Sequence, residues 1–352
     1  MSLILTARNS YAVRTAVLIV LLNLFIIPQA ASQGFKWKLG LLSFFDNNEF
    51  AGSAFAIPQT MAGVVLSPEL GLGWDSVHRI STGIHLLHEF GSVTTAGKIY
   101  PTAYYNYNKR HWRFIMGAFP RDMALDRYPH VFFRDSVSYY RPNINGMFWE
   151  VKKDNNYFNL WLDWTGRMTE TERETFFVGF SGRYNSGIFF AQHFGYMYHF
   201  SVSMNPPPGD ALHDNILLFT SAGIDLSERT FLDNLEASVG WVAGMERARA
   251  DQTGWMQLNG MLFELRIGYR YLSLHNSYYK GKGLYQYYSE HKNNLYWGDP
   301  MYQSGSYNRS DLSFRFLQTG KVSLDLIYSL HFAEADIYHE QALKVRIDLN
   351  NY

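Results

Sequence analysis

The chain has 352 residues, with 31 basic and 31 acidic side chains, no cysteine, and aromatic residues at 17% of its positions. The balanced charge argues against nucleic-acid binding, which needs a basic excess for contacts with phosphates. The absence of cysteine excludes a disulfide scaffold, a Cys-ligated metal centre and a thiol nucleophile, and a hydrophobic fraction of 47% is too high for an intrinsically disordered chain.

Residues 1–32 have the three parts of a secretory signal peptide. Arg8 and Arg14 precede an apolar run over residues 16–27, and small residues follow as far as Ser32. This pattern predicts cleavage after Ser32 and export from the cytoplasm. The alternative, a permanent membrane anchor, would need a longer apolar run of about 20 residues. We expect residues 33–352 to form a single domain.

Polar and apolar side chains alternate over most of the remaining sequence. In residues 79–89, Arg79, Ser81 and Glu89 fall on one face, and Ile80 and Ile84 fall on the other. A period of two is the pattern of a β-strand. The same period recurs in Phe158, Leu160, Leu162 and Trp164; in Phe194, Tyr196, Tyr198 and Phe200; in Met261, Phe263, Leu265 and Ile267; and in Leu343, Val345, Ile347 and Leu349.

The length of these segments and the position of their charges indicate strands that cross a membrane. Many segments have ten or more alternating residues, enough for a tilted strand to span a bilayer, and aromatic residues cluster near their ends, as at Tyr104, Tyr105 and Tyr107. Charged residues recur on the polar face and are almost absent from the apolar face. We therefore predict an all-β, transmembrane antiparallel β-barrel, with the apolar face toward lipid and the polar face toward a lumen. The alternative is a soluble β-sandwich or solenoid.

The spacing of turns sets the number of strands. Fifteen alternating segments can be counted, whereas bacterial single-chain barrels have even numbers of strands. Parity requires one more strand between Leu274 and Arg309, and the tyrosine-rich residues 278–289 are the natural candidate. We predict sixteen strands, with fourteen as the alternative. The long connections are then expected on the outer side of the membrane, at residues 46–60, 120–143, 204–214, 246–256 and 290–309.

Sixteen strands would enclose an aqueous lumen. Neither sign of charge dominates the polar face, so strong ion selectivity is not expected. These charges either pair across strands and stiffen the wall or line a path for polar solutes. The predicted lumen-lining residues are Arg79, Glu89, Arg113, Asp163, Arg183, Glu264, Arg266, Arg270, Arg315, Asp325 and Arg346.

Three groups of residues in the predicted outer loops have alternative interpretations. The acidic cluster at residues 46–49, Asp-Asn-Asn-Glu, fits either a calcium site or a solvated turn. Residues 213–215, His-Asp-Asn, begin a strand at the outer rim, where a turn-and-cap role competes with a metal or catalytic role. The aromatic residues from Tyr296 to Tyr302 would stack on a sugar, form a packed lid or belong to an interfacial belt.

A fourth group has the spacing of a nucleophile and its base. His199 and Ser201 are two residues apart, so a strand places both on one face. This arrangement resembles the His-x-Ser of the outer-membrane phospholipase A family, in which a histidine activates a serine and an asparagine orients the histidine. The resemblance implies catalytic roles for His199 and Ser201 and an orienting role for Asn215. The residues after Ser201 depart from that family, and our register directs His199 and Ser201 into the lumen, whereas the family needs them to face lipid.

As a whole, the mature chain resembles Gram-negative outer-membrane porin-like barrels, including the C-terminal aromatic residue, although Tyr352 is out of phase with the apolar row. Residues 159–167 (NLWLDWTGR) and 295–300 (LYWGDP) resemble uncharacterised barrels of Bacteroidota, which lend no catalytic residue. The resemblance is unspecific about activity. The sustained alternation and the polar inner face predict an outer-membrane channel for small hydrophilic solutes, with residues 120–143 a candidate for constricting the lumen. No enzymatic activity, cofactor or metal is expected.

The alternatives to a channel are an outer-membrane lipid hydrolase and a barrel platform for a surface lipoprotein or secretion partner. The expected partners are outer-membrane lipids and lipopolysaccharide, a small hydrophilic solute, and copies of the same chain in a homo-oligomer, with no nucleic acid.

Overall fold

The computed structural model describes residues 33–93, 97–125, 127–250 and 254–351, with the backbone alone at Gln33. The predicted signal peptide, residues 1–32, lies outside the described residues. Within the described ranges, none of the helices has the length and apolar character that a bilayer crossing requires.

Sixteen antiparallel strands form a closed barrel in which each strand pairs with its sequence neighbours and the first pairs with the last. The predicted fold class and strand number are confirmed. Closure leaves no unpaired edge, which is a requirement for strands in lipid. The strands are β1 Gln33–Glu49, β2 Gln59–Trp74, β3 His78–Glu89, β4 Lys98–Lys109, β5 Trp112–Pro120, β6 Asn143–Lys153, β7 Asn156–Gly166, β8 Thr175–Ser186, β9 Phe189–Phe200, β10 His213–Asp225, β11 Asn234–Ala248, β12 Met256–Tyr269, β13 Leu272–Gly281, β14 Ser306–Gln318, β15 Val322–Ala333 and β16 Asp336–Asn350.

The additional strand that parity required is β13, which begins at Leu272, earlier than the predicted residues 278–289. The alternation over residues 257–273 belongs to two strands, β12 and β13, separated by a tight turn at Arg270 and Tyr271. Arg270 has a positive φ of 53°, a backbone conformation typical of turns. The sequence pattern missed this turn because the period of two continues through it. Arg270 is therefore a turn residue, and its predicted place on a lumen-facing strand is wrong.

The barrel closes where β1 meets β16. Their register runs from Lys38 opposite Asn350 to Glu49 opposite His339. Beyond the last paired residue, the Asn351 side chain accepts a hydrogen bond from the Trp37 N–H at 2.8 Å and donates one to the Phe35 carbonyl at 3.0 Å. The side chain thus extends the contact between the two terminal strands.

Two long loops fill the end of the barrel opposite to the short turns. Residues 121–142 contain α1 (Asp122–Leu125) and α2 (Ser136–Tyr140), and residues 282–305 contain α3 (Tyr288–His291) and the short 3₁₀ turns Lys292–Asn294 and Pro300–Gln303. The Asp299 N–H donates to the His130 carbonyl at 2.9 Å, and the Arg134 N–H donates to the Trp297 carbonyl at 2.9 Å. We call these two packed loops the plug. Short turns at one end and long loops at the other place the plug on the outer side of the membrane.

The inner face of β9 is apolar because it packs against the plug. Tyr196 contacts Phe132 with ring centroids 5.5 Å apart, and Phe200 contacts His291 at 5.1 Å. The predicted register placed these aromatic residues toward lipid and His199 toward the lumen, which is wrong. Aromatic side chains of the plug fill this part of the lumen, so the strand residues that face them are apolar. His199 lies on the outer wall.

Candidate functional site

A line of side chains crosses the outer wall from β7 to β11 near the loop end of the barrel. Trp164 lies opposite Phe176, Phe176 opposite His199, His199 opposite Asp214, and Asp214 opposite Arg247. We call these five residues the wall row. At one end of the wall row, the Trp164 ring stacks on the Phe176 ring, with centroids 5.0 Å apart. The wall row therefore combines aromatic anchors with ionisable groups on one face.

His199 is held between an aromatic ring and a carboxylate. Its imidazole stacks on Phe176, with centroids 4.8 Å apart and an interplanar angle of 27°. Nδ1 of His199 lies 3.9 Å from Oδ1 of Asp214, within ion-pair range but beyond a hydrogen bond. Nε2 has no hydrogen-bond partner among the residues that the structure describes. An imidazole with a carboxylate beside Nδ1 and an unengaged Nε2 has the arrangement of a general base.

Two arginines surround Asp214, which is buried. Nε of Arg247 donates to Oδ2 at 2.7 Å, and Arg249 donates to both carboxylate oxygens, at 2.9 and 3.0 Å. The Arg247 guanidinium also lies 4.4 Å from the Trp255 ring centroid. Two guanidinium groups against one carboxylate leave a net positive charge at the rim. Such a site is suited to an anionic group, and guanidinium binds phosphate with a fixed geometry.

The other two residues of the predicted catalytic group do not join His199. Ser201 lies beyond the end of β9, where its N–H donates to the Glu174 carbonyl at 2.9 Å, and no hydrogen bond joins it to His199. Asn215 faces inward, because it follows the outward-facing Asp214 on β10. Asn215 therefore cannot orient His199, and the adjacent Asp214 occupies that place. Sequence reasoning noted Asp214 at the outer rim but connected neither Asp214 nor Arg247 with His199, because their proximity depends on the pairing register.

Several of the predicted lumen residues lie in ion pairs. Three pairs are Arg121 Nη2 with Asp163 Oδ2 at 2.7 Å, Arg183 Nη2 with Glu236 Oε1 at 3.0 Å, and Arg315 Nε with Asp325 Oδ1 at 2.6 Å. Elsewhere, Glu264 lies 3.5 Å from Arg266, Arg113 donates to the Met123 carbonyl at 2.9 Å, and Glu89 accepts from the Tyr140 hydroxyl at 2.9 Å.

Arg79 and Arg346 line open space. A cavity of about 620 Å³ lies between strands β1–β4, β16 and residues 121–142, and its lining includes both arginines. Arg79 also borders a second cavity of about 550 Å³ with Arg113 and Glu150. Polar space therefore exists within the barrel beside the plug. Arg270 lies apart from it in the β12–β13 turn, with its guanidinium 5.1 Å from the Tyr269 ring.

A buried ionic network attaches the plug to the wall. Arg309 of β14 lies 3.0 Å from Asp135, 2.7 Å from Asp311 and 3.5 Å from Glu340. Lys344 of β16 is 3.0 Å from Asp135. Burial alone would raise the pKa of Asp135, but Lys344, with His130 and Arg309, holds that pKa well below its ordinary value.

The three loop groups considered in the sequence analysis have defined positions in the structure. Asp46 and Asn47 lie within β1 on opposite faces, and Asn47 donates to Gln341 on the outer wall at 2.8 Å, so residues 46–49 form neither a calcium loop nor a turn. Tyr296, Trp297 and Tyr302 are buried in the plug, which agrees with a packed lid. His213 does begin a strand, as predicted.

Comparison with known proteins identifies the family. A family model described as lipid A 3'-O-deacylase-type matches residues 27–351. This chain belongs to the lipid A 3'-O-deacylase-type family. Comparison with curated proteins finds no matching relative. The expectation that the protein is not an enzyme therefore conflicts with the activity for which the family is named.

Solved structures similar to this member of the lipid A 3'-O-deacylase-type family are outer-membrane barrels. OmpT of Vibrio cholerae in its trimer form is 6% identical, covers 90% of this chain and 100% of its own, and has a TM-score of 0.56. OccK11 (OpdR) of Pseudomonas aeruginosa is 10% identical over 90% and 96% of the two chains, and OmpF of Salmonella typhi is 8% identical over 92% and 99%, each with a TM-score of 0.51. At these identities the likeness concerns the fold alone. The protein is an outer-membrane β-barrel.

Proposed function

We propose that the protein hydrolyses an acyl ester of lipid A, or of a similar phosphorylated glycolipid, in the outer leaflet of the outer membrane. The observation that carries this proposal is the wall row together with Arg249, which places His199, Asp214 and two arginines on the lipid-facing side near the loop end. A lipid substrate reaches this face by lateral diffusion, without passing through the barrel. The family description supports the choice of lipid A.

The proposed reaction uses His199 as a general base. Nε2 of His199 takes a proton from water, the water oxygen attacks the ester carbonyl carbon, and the bond from that carbon to the sugar oxygen breaks. The imidazolium returns the proton to the sugar oxygen, so a free fatty acid and a sugar hydroxyl are released. Asp214 stabilises the imidazolium, and Arg247 and Arg249 bind a phosphate of the lipid.

Phe176 and Trp164 complete the site as anchors. Their rings are suited to the boundary between headgroups and acyl chains, where aromatic residues are enriched. A substrate ester at this depth has its acyl chain in hydrocarbon and its phosphate at the rim, beside the guanidinium groups.

The test is hydrolysis of purified lipid A in detergent micelles by refolded protein, with released fatty acid measured by mass spectrometry. His199→Gln should lower the rate by about 10²–10⁴-fold, the range typical for loss of a general base. The matched control is His193→Gln on the same face of β9. Its imidazole forms a hydrogen bond with the Thr220 hydroxyl at 2.5 Å, and none of the described carboxylates lies in ion-pair range of it. This control should keep full activity.

The Ser201→Ala variant distinguishes attack by water from attack by the Ser201 hydroxyl. Full activity of this variant supports attack by water, and loss of activity together with an acyl-enzyme adduct assigns the serine instead. Failure of the wild type to release any acyl chain from lipid A overturns the proposed function. Heat-modifiable migration on a gel verifies that each variant is folded.

A second candidate function is passage of small hydrophilic solutes. The 620 Å³ cavity lined by Lys38, Arg79 and Arg346 favours it, because its charged walls suit a polar solute. Under this proposal, the predicted lumen residues other than Arg270 form the solute path. Planar-bilayer recordings that give open-channel current with the wild type support a channel, and their absence in folded protein excludes it.

A further inference from the structure

Two imidazoles and a carboxylate converge where residues 282–305 meet the rim of the barrel. His213, the first residue of β10, points inward, and Glu290 and His291 end helix α3. The Nε2 atoms of His213 and His291 are 2.8 Å apart, and Oε2 of Glu290 is 3.9 Å from Nε2 of His291. One ligand atom from each residue lies within 4.8 Å of the other two. We propose that these three residues bind a zinc-class transition-metal ion.

The distances are close to those of a bound ion. Zinc bonds of 2.0–2.2 Å in tetrahedral geometry separate neighbouring ligand atoms by about 3.3 Å. The distance between the two imidazole nitrogens is shorter than this value, and that between the carboxylate and His291 is longer. Side-chain shifts of about half an ångström would bring these two distances to the tetrahedral value, and the ligand atoms of His213 and Glu290 lie within 4.8 Å of each other. Without metal, one imidazole N–H donates to the other imidazole.

The donor set selects the class of metal. Imidazole nitrogen suits zinc, nickel and copper, whereas calcium and magnesium require oxygen ligands. Three protein ligands leave a fourth tetrahedral position for water. The Glu290 side chain is 60% exposed, so the ion reaches the site directly from solvent.

Aromatic rings hold the two imidazoles in place. Phe200 lies 5.1 Å from His291, and Tyr287 lies 4.6 Å from His213. Tyr287 is itself fixed, because its hydroxyl accepts a hydrogen bond from the Ala248 N–H at 3.1 Å. The nearby cation, Arg173, lies over the Phe200 ring and pairs with Asp210, so its charge is balanced. Support of this kind orients metal ligands before binding.

A metal at this position would connect a loop to a strand. Helix α3 belongs to the plug and His213 belongs to the wall, so coordination adds a link between them. The metal-bound protein should resist proteolysis within residues 282–305 and unfold at a higher temperature, because binding only to the folded state stabilises that state.

The test is zinc binding by the full-length, refolded protein after metal is removed with a chelator. We expect one zinc per chain by elemental analysis, and cobalt should give the visible absorption of a tetrahedral site. His291→Ala should lower zinc affinity by more than the roughly 10–100-fold loss typical of an outer-sphere partner. Glu290→Gln should weaken binding less, because both imidazoles remain.

His88→Ala is the matched control, since His88 is exposed on β3, outside the three-residue site. Its zinc affinity should equal that of the wild type. Equal zinc binding by His291→Ala and the wild type, or no binding by the wild type at about 100 μM zinc, roughly the affinity of a weak site, would overturn the proposal. Metal content and lipid hydrolysis are separate measurements, so this inference fails or stands independently of the proposed function.

Discussion

Arg121 and Asp163 form a buried ion pair between the plug and the wall. Nη2 of Arg121, directly after β5, lies 2.7 Å from Oδ2 of Asp163 on β7. Arg121 also donates to the carbonyls of Arg141 and Asn143, both at 2.7 Å. One guanidinium thus joins both ends of the 121–142 loop to the barrel, and Asp163 balances its charge.

Asp163→Ala should destabilise the protein by about 3–5 kcal/mol, because it leaves a buried guanidinium without its carboxylate. Denaturant unfolding in detergent micelles measures the change. The control is Asp325→Ala, which removes the carboxylate from a more exposed pair with Arg315 and should change stability by about 1 kcal/mol or less. Equal effects of the two variants would contradict a special role for Asp163.

Gly298→Ala should separate the two loops of the plug. An added Cβ would overlap the Tyr285 hydroxyl and the Val131 carbonyl, which are hydrogen-bonded to each other. We expect faster proteolysis in residues 282–305 and a lower melting temperature. Gly320→Ala is the matched control, because a Cβ there meets nothing within 4 Å. Unchanged proteolysis in Gly298→Ala would show that the loops pack differently.

Asp135 should make the plug sensitive to acid. Its pKa is held well below its ordinary value, with burial opposed by Lys344 and His130, so its ionised form stabilises the folded state. A depressed pKa contributes stability above the unfolded value, about 3.9, and this stability is lost as the pH falls through the folded value. The stability difference between wild type and Asp135→Asn should shrink as the pH falls below about 4. A constant difference down to pH 2 would contradict this assignment.

Arg249→Ala should affect binding of lipid A more than the chemical step. Arg249 is about half exposed and donates to both oxygens of Asp214, so its loss weakens the anion site but leaves His199 in place. We expect a rise in KM for phosphorylated lipid A with a smaller change in kcat, and no rise in KM for dephosphorylated lipid A. Arg229→Ala, in the opposite turn Ser227–Arg229, is the control. A similar rise in KM with both lipids would exclude phosphate recognition by Arg249.

The fold could be predicted from sequence because alternation and parity are properties of the whole chain. The prediction for β9 failed for a physical reason. The alternating aromatic residues of β9, including Tyr196 and Phe200, would give the same sequence pattern whether they faced lipid or packed against the aromatic plug, as they do here. Whether the lumen is wet or filled depends on where distant loops fold, and alternation alone does not contain that information.

The candidate site was only partly visible in the sequence. His199 was found through its spacing from Ser201, but its outward direction and its neighbour Asp214 depend on the pairing of β9 with β10. The hydrogen bond between His213 and His291 joins residues 78 positions apart, and no local pattern indicates it. Register and loop docking decide such contacts, and both are set by the tertiary structure.

The contact of Asn351 with Phe35 and Trp37 bears on the order of assembly. Its partners are more than 300 positions away, so among the described residues this contact carries one of the largest loop-closure entropy costs and should form late. Until it forms, β1 and β16 each expose a row of unpaired amides, which hydrocarbon does not tolerate. The nascent cylinder therefore needs a shielded environment until its first and last strands meet, and Asn351, directly after β16, makes the contacts that complete closure.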